Sequence, residues 1–127
     1  MGKVYGNYKR RVNKYGVLID AQGKAERTID GIVFASKSEK KRYGELKLLE
    51  RAGKISGLTL QWPFRLNVLG VDNLQVTIGK YIADFCYRTE PDFEMVVEDC
   101  KGFRVPLYKW KKKHFEIQYG IKITEVK

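Results

Sequence analysis

The sequence predicts an α+β fold: a sandwich-like domain in which a mixed central β-sheet is flanked by two helices and preceded by a small β-hairpin. Three observations carry this expectation. Two stretches bear the start and stop residues of helices, the segments between them are rich in β-branched and aromatic residues, and the order along the chain is hairpin, helix, strands, helix, strand. With 127 residues, 43 % of them hydrophobic, the chain can close one core but is too short for two domains of ordinary size. A basic, flexible arm is expected over residues 1–24 and one domain over 25–127.

Residues 1–24 are polar and glycine-rich, and Lys9, Arg10, Arg11 and Lys14 are interleaved with Tyr5, Tyr8 and Tyr15. That composition suits an arm that docks on phosphates, with tyrosines able either to stack on bases or to pack on the domain. In residues 27–34, Asp30-Gly31 sits between β-branched residues, the strongest short-range hairpin signal. Ser36 as N-cap, Glu39 three positions later and Gly53 as a stop define the first helix, with Tyr43, Leu46 and Leu49 as its apolar stripe. Glu39 lies four residues before Tyr43 and seven before Leu46, so it projects from that same stripe. Residues 58–69 read as a strand in which Pro63 marks an edge, and residues 71–75 read as a turn. Further strands are expected over 76–88, broken near Gly79, over 94–102, and over 121–126. The second helix runs between Pro106 and Gly120, with Lys109, Lys112, Lys113 and Glu116 as its polar stripe and Leu107, Trp110, Phe115 and Ile117 over the remainder.

Lys and Arg number 25 against 15 Asp and Glu, a formal net charge of +10. A polyanionic partner follows, nucleic acid first and an anionic membrane surface second. No apolar run approaches the roughly 20 residues that span a bilayer, and no signal-peptide core is visible, so the protein is expected in the cytoplasm. Cys86 and Cys100 lie in apolar runs without a metal-ligand spacing and read as reduced core fillers.

Phosphodiester hydrolysis needs neutralisation of the phosphate, an activated water and a stabilised leaving oxygen, tasks that carboxylate-bound Mg²⁺ performs. Two acids on adjacent strands, with a lysine two residues beyond one of them, would seat such an ion. Asp84 in Tyr81-Ile82-Ala83-Asp84-Phe85-Cys86-Tyr87, together with Asp99 and Lys101 in Met95-Val96-Val97-Glu98-Asp99-Cys100-Lys101-Gly102, offers that arrangement. In a strand Asp99 and Lys101 share the face of Val97 while Glu98 points away.

These residues, with the run from Ser36 to Glu50, resemble a phage-encoded branch of the PD-(D/E)XK nuclease superfamily, the branch of small endonucleases and Holliday junction resolvases. The resemblance covers residues 27–127 and implies a restriction-endonuclease-like core. It implies that Glu39, Asp84 and Asp99 bind Mg²⁺, for which Mn²⁺ can substitute, and that Lys101 orients water or steadies charge. Gln61 resembles an accessory polar residue beside the site. Ala83 stands where the motif's name has proline. The expected activity is endonucleolytic cleavage of DNA, branched or junction DNA in phage recombination or replication, by a homodimer in the bacterial host cytoplasm. Lys9, Arg10, Arg11, Lys14, Lys109, Lys112 and Lys113 would contact the nucleic acid.

Each residue also has a plainer reading. Glu39 can complete a capping box with Ser36, Asp99 and Lys101 can belong to an exposed cross-strand charge pattern, and a bulge would exchange Glu98 for Asp99. A non-catalytic nucleic-acid-binding module is the alternative from another class, and RNA is the alternative polymer.

Overall fold

The computed structural model describes residues 12–14, 17, 19–100 and 105–127. The chain divides into two compact units, Met1–Arg42 and Tyr43–Lys127. In the first, the Asp20 carboxylate accepts the Gly23 N–H at 2.7 Å and so caps a short helix α1, Ala21–Glu26. Residues 21–24, expected in a flexible arm, therefore form the start of a helix. Strands β1, Thr28–Ile29, and β2, Ile32–Val33, pair antiparallel, Thr28 with Val33 and Ile29 with Ile32. Their turn requires positive φ twice, and Asp30 at 52° and Gly31 at 75° supply it. The open end is tied by Arg27, whose Nε donates to the Phe34 carbonyl at 2.9 Å. Helix α2, Lys37–Arg51, starts in this unit: Ser36 Oγ accepts the Glu39 N–H at 3.1 Å, half of the expected capping box.

In the second unit α2 ends as its sequence demands. Gly53 adopts φ 73°, Gly53 N donates to the Glu50 carbonyl and Lys54 N to the Leu49 carbonyl, a Schellman closure that satisfies two terminal carbonyls. Glu50 Oε2 also accepts the Leu58 N–H at 3.2 Å, fixing the last turn of the helix to the strand that follows. The sheet contains β3, Ile55–Leu69, β4, Gln75–Thr89, β5, Met95–Cys100, and β6, Thr124–Val126, in the order β3-β4-β5-β6. The first three are antiparallel and β6 is parallel to β5, so the sheet is mixed. Pro63 sits on β3, the edge strand, where a missing donor is tolerated.

Two strand expectations need correction. Residues 76–88 were expected to break near Gly79, but β4 is continuous there: the register steps from Leu66↔Gly79 to Asn67↔Thr77, so Ile78 is accommodated as a bulge. The final strand was expected over 121–126, but only Thr124–Val126 pair, because Ile123 turns into the core and its N–H is taken by Glu116 Oε2 at 2.8 Å.

Helix α3, Pro106–Tyr119, packs on β3 and β4. Of its apolar residues only Tyr108 and Phe115 are buried, while Leu107, Trp110 and Ile117 are exposed. Phe115 has no exposed surface and lies edge-on to Phe64 at 4.9 Å and tilted against Tyr81 at 5.2 Å, the centre of a core completed by Leu66, Ala83, Cys86, Val97 and Ile123. Cys86 is a buried thiol whose ionisation burial pushes up to about 11, as befits a core filler, whereas Cys100, expected to be one too, is only half-buried; neither is in a disulfide. Gly120 ends α3 at φ 69° with nothing near the position of a Cβ. Gly120→Ala should therefore cost about 1 kcal/mol from backbone strain alone, read as a shifted denaturant midpoint with an unchanged slope. Among the described residues no helix is long and apolar enough to cross a membrane.

Candidate active site

Asp84 sits on β4, between β3 and β5, and is 7 % exposed. On the β3 side, the pairs Leu60↔Phe85 and Trp62↔Ala83 leave Gln61 opposite Asp84, and Gln61 Nε2 donates to Asp84 Oδ1 at 3.1 Å. Gln61 holds φ 51°, a left-handed conformation inside a strand that costs a residue with a Cβ about 1–2 kcal/mol. Strain of this kind persists where the surroundings over-determine it, and here it stands beside a buried acid. On the β5 side, Phe85↔Glu98 is the last pair of the ladder. There a side chain takes over from the main-chain ladder: Cys100 N donates to Asp84 Oδ2 at 2.8 Å.

Asp99 has no exposed surface, and its Oδ2 accepts the Tyr81 hydroxyl at 2.6 Å. Burial first, and then the hydrogen bond to Asp99, raise the Tyr81 phenol far above its ordinary range; the charges of Asp99 and Asp84 act in the same direction. Tyr81 thus stays protonated and serves as a fixed donor. Glu98 is also fully buried, but the β5 pairings to β4 and β6 run without a register shift, so Glu98 and Asp99 point to opposite sides of the strand.

The second unit thereby joins Gln61 on β3 to Asp84 on β4, and Asp84 to the Cys100 amide that follows Asp99 on β5. A buried carboxylate costs several kcal/mol unless it is paired or bound to a cation, and Asp84 and Asp99 are both buried. Both are hard oxygen donors of the kind Mg²⁺ takes, and each Asp84 oxygen keeps a lone pair beyond the hydrogen bond it accepts. As such donors, these acids would suit a divalent ion. Among the described residues no group of three His, Cys, Asp or Glu side chains is gathered as a ready metal cage. Glu39 lies in the first unit, in the opening turn of α2, 8 % exposed. Lys101, Lys9, Arg10 and Arg11 lie outside the described residues, as do Tyr5, Tyr8 and Tyr15, and Lys14 is exposed.

The three lysines of α3 separate. Lys112 Nζ bonds Glu125 Oε1 at 2.9 Å, an oxygen that also accepts the Tyr108 hydroxyl, so this lysine is spent within the fold. Lys109 and Lys113 are exposed and border a shallow hollow of about 510 Å³ with Trp110, His114 and Ile117. His114 is positioned by a 2.8 Å contact between its Nε2 and the Asn67 carbonyl.

Two participants escaped sequence reasoning. The Cys100 amide is invisible without the β4–β5 register. Tyr81 had a readable signal, a tyrosine in an otherwise apolar strand, whose hydroxyl must find a partner once buried. No curated protein and no solved structure matches the chain. Residues 18–126 match a family described as "Protein of unknown function (DUF1064)", and the chain belongs to that family.

Proposed function

We propose that this chain is a metal-dependent endonuclease of the PD-(D/E)XK type, hydrolysing phosphodiester bonds in DNA as a homodimer in the cytoplasm, in a bacterial host if it is phage-encoded. The observation that carries the reading is the buried Asp84, held between Gln61 in a strained conformation on β3 and the Cys100 amide next to Asp99 on β5. Asp84 and Asp99 would hold Mg²⁺ or Mn²⁺. When bound, such an ion neutralises phosphate charge and lowers the pKa of a coordinated water. Gln61 and the Cys100 amide fix both Asp84 oxygens, and Tyr81 fixes Asp99, so neither carboxylate must reorganise during the reaction. Lys101 would steady the charge on the phosphate as water adds to phosphorus and the ester oxygen leaves as a hydroxyl.

The test is incubation of the purified chain with four-way, nicked, linear and single-stranded DNA in Mg²⁺, Mn²⁺ or EDTA, and with RNA. Cleavage that needs the metal and vanishes in Lys101→Ala is expected, with four-way junctions the preferred substrate. Binding without any metal-dependent product on any substrate would overturn the reading in favour of a non-catalytic nucleic-acid-binding module, which the complete burial of Asp99 favours.

Charge supports the polymer. Lys109→Ala with Lys113→Ala should weaken DNA binding and lower the slope of log affinity against log salt by about 2, since each phosphate contact contributes about 0.9. Lys112→Ala should leave the slope alone, because its partner is Glu125. An unchanged slope in the double variant removes this helix from the binding surface.

A further inference from the structure

The far end of the β3–β4 hairpin exposes an unusual concentration of apolar side chains. Its polar groups are exposed or half-buried and bonded to one another or to α3: Asp72 Oδ1 accepts the Leu74 N–H at 3.1 Å within the turn, Thr77 Oγ1 donates to Asn67 Oδ1 at 2.7 Å, and Asn67 N donates to Gln118 Oε1 at 2.8 Å. Its apolar side chains look outward: Val68, Leu69, Val71, Leu74, Val76 and Ile78 are exposed by between 40 and 109 %. The turn is internally bonded, Gly70 N to the Leu74 carbonyl and Asn73 N to the Gly70 carbonyl, so this is a built projection.

Charge says what can meet it. Residues 66–79 contain a single charged side chain, Asp72, in a chain that is 31 % charged and carries +10. Two copies repel over most of their surface, and this arm is where they can approach without opposing cations. A polyanion finds no cation there. Val68 and Val76 are cross-strand partners on one face of the hairpin, Leu69 stands on the other, and Val71 and Leu74 occupy the turn, so the tip offers apolar side chains on more than one side.

We infer that a second copy of this chain docks its own hairpin on this arm, giving a two-fold interface in which Leu69, Val71 and Leu74 are central. The inference rests on the homodimer proposed above and names its surface; its test uses neither DNA nor metal, so its failure and that of the nuclease reading are distinguishable.

Sedimentation equilibrium of the full chain over a roughly hundredfold range of micromolar concentration should give twice 14.8 kDa. Leu69→Lys with Leu74→Lys should weaken association at least about a hundredfold and give a folded monomer, checked by circular dichroism. Val71→Lys, at a position exposed in full, provides a second variant that leaves folding untouched and should also shift the equilibrium to monomer. Trp110→Lys on α3 should leave the dimer intact. A wild-type monomer throughout, a dimer that survives Val71→Lys, or dissociation by Trp110→Lys would each overturn the proposal.

Discussion

Asp84→Asn is expected to reduce metal-dependent cleavage by on the order of a thousandfold or more while leaving the fold at least as stable as before. The two halves of that outcome have one cause. Asparagine keeps an oxygen that can accept the Cys100 N–H, and the Gln61 amide can turn to present its own oxygen to the new NH₂ group, so the local hydrogen bonds survive. What is lost is a buried negative charge beside Asp99. Without an ion that charge costs stability; with an ion it provides the site. Thermal unfolding should therefore show Mg²⁺ raising the midpoint of the native chain and not that of the variant, as expected when a ligand binds only one of the two folded forms. Cleavage that survives the substitution, or equal stabilisation of both proteins by Mg²⁺, would sink the assignment of Asp84.

What could be read beforehand follows from the range of the interactions involved. The Asp30-Gly31 turn, the Gly53 and Gly120 helix ends and the Ser36 cap are determined by backbone conformations that a few adjacent residues dictate, and each lies where the sequence places it. Asp84 was legible because an acid amid Tyr81, Ile82, Phe85 and Cys86 has no cheap place in a core. The continuity of β4 was not, because a glycine in a strand announces either a break or a bulge, and the pairing with Leu66 and Asn67 decides between them.

Long-range register decided the rest. Period placed Leu107, Trp110, Phe115 and Ile117 off the polar stripe without saying which are buried, and of α3 only Tyr108 and Phe115 are. Lys112 looked like a member of a solvated stripe until β6 brought Glu125 beneath it. Tyr81 and Asp99 are 18 positions apart, and nothing local could say that the hydroxyl of one would meet the carboxylate of the other. Glu98 and Asp99 are distinguished only by the side of β5 each occupies, a property of the regular β5 pairing.

Phe115→Ala should cost about 3–5 kcal/mol, a large part of the roughly 5–15 kcal/mol available to a domain, and should lower the melting temperature by about 10 °C or more. The ring is fully buried and contacts Phe64, Tyr81 and Tyr119 at centroid distances of 4.9, 5.2 and 4.9 Å, so its removal leaves a cavity that three large neighbours cannot close without leaving their rotamers. Trp110→Ala, five residues earlier on the same helix at a residue 79 % exposed, should stay within about 0.5 kcal/mol. The Phe115 variant has a functional consequence as well, because Tyr81 is the donor that holds Asp99. Tyr81→Phe separates the effects: it keeps the ring packed on Phe115 and removes only the hydroxyl, so it should cost about 1–3 kcal/mol for the acceptor left behind. If the core positions the acids through Tyr81, both variants will lose cleavage at temperatures where they remain folded. If Phe115→Ala lowers stability alone and folded protein cuts at the native rate, the aromatic cluster supports the sheet but does not position Asp99.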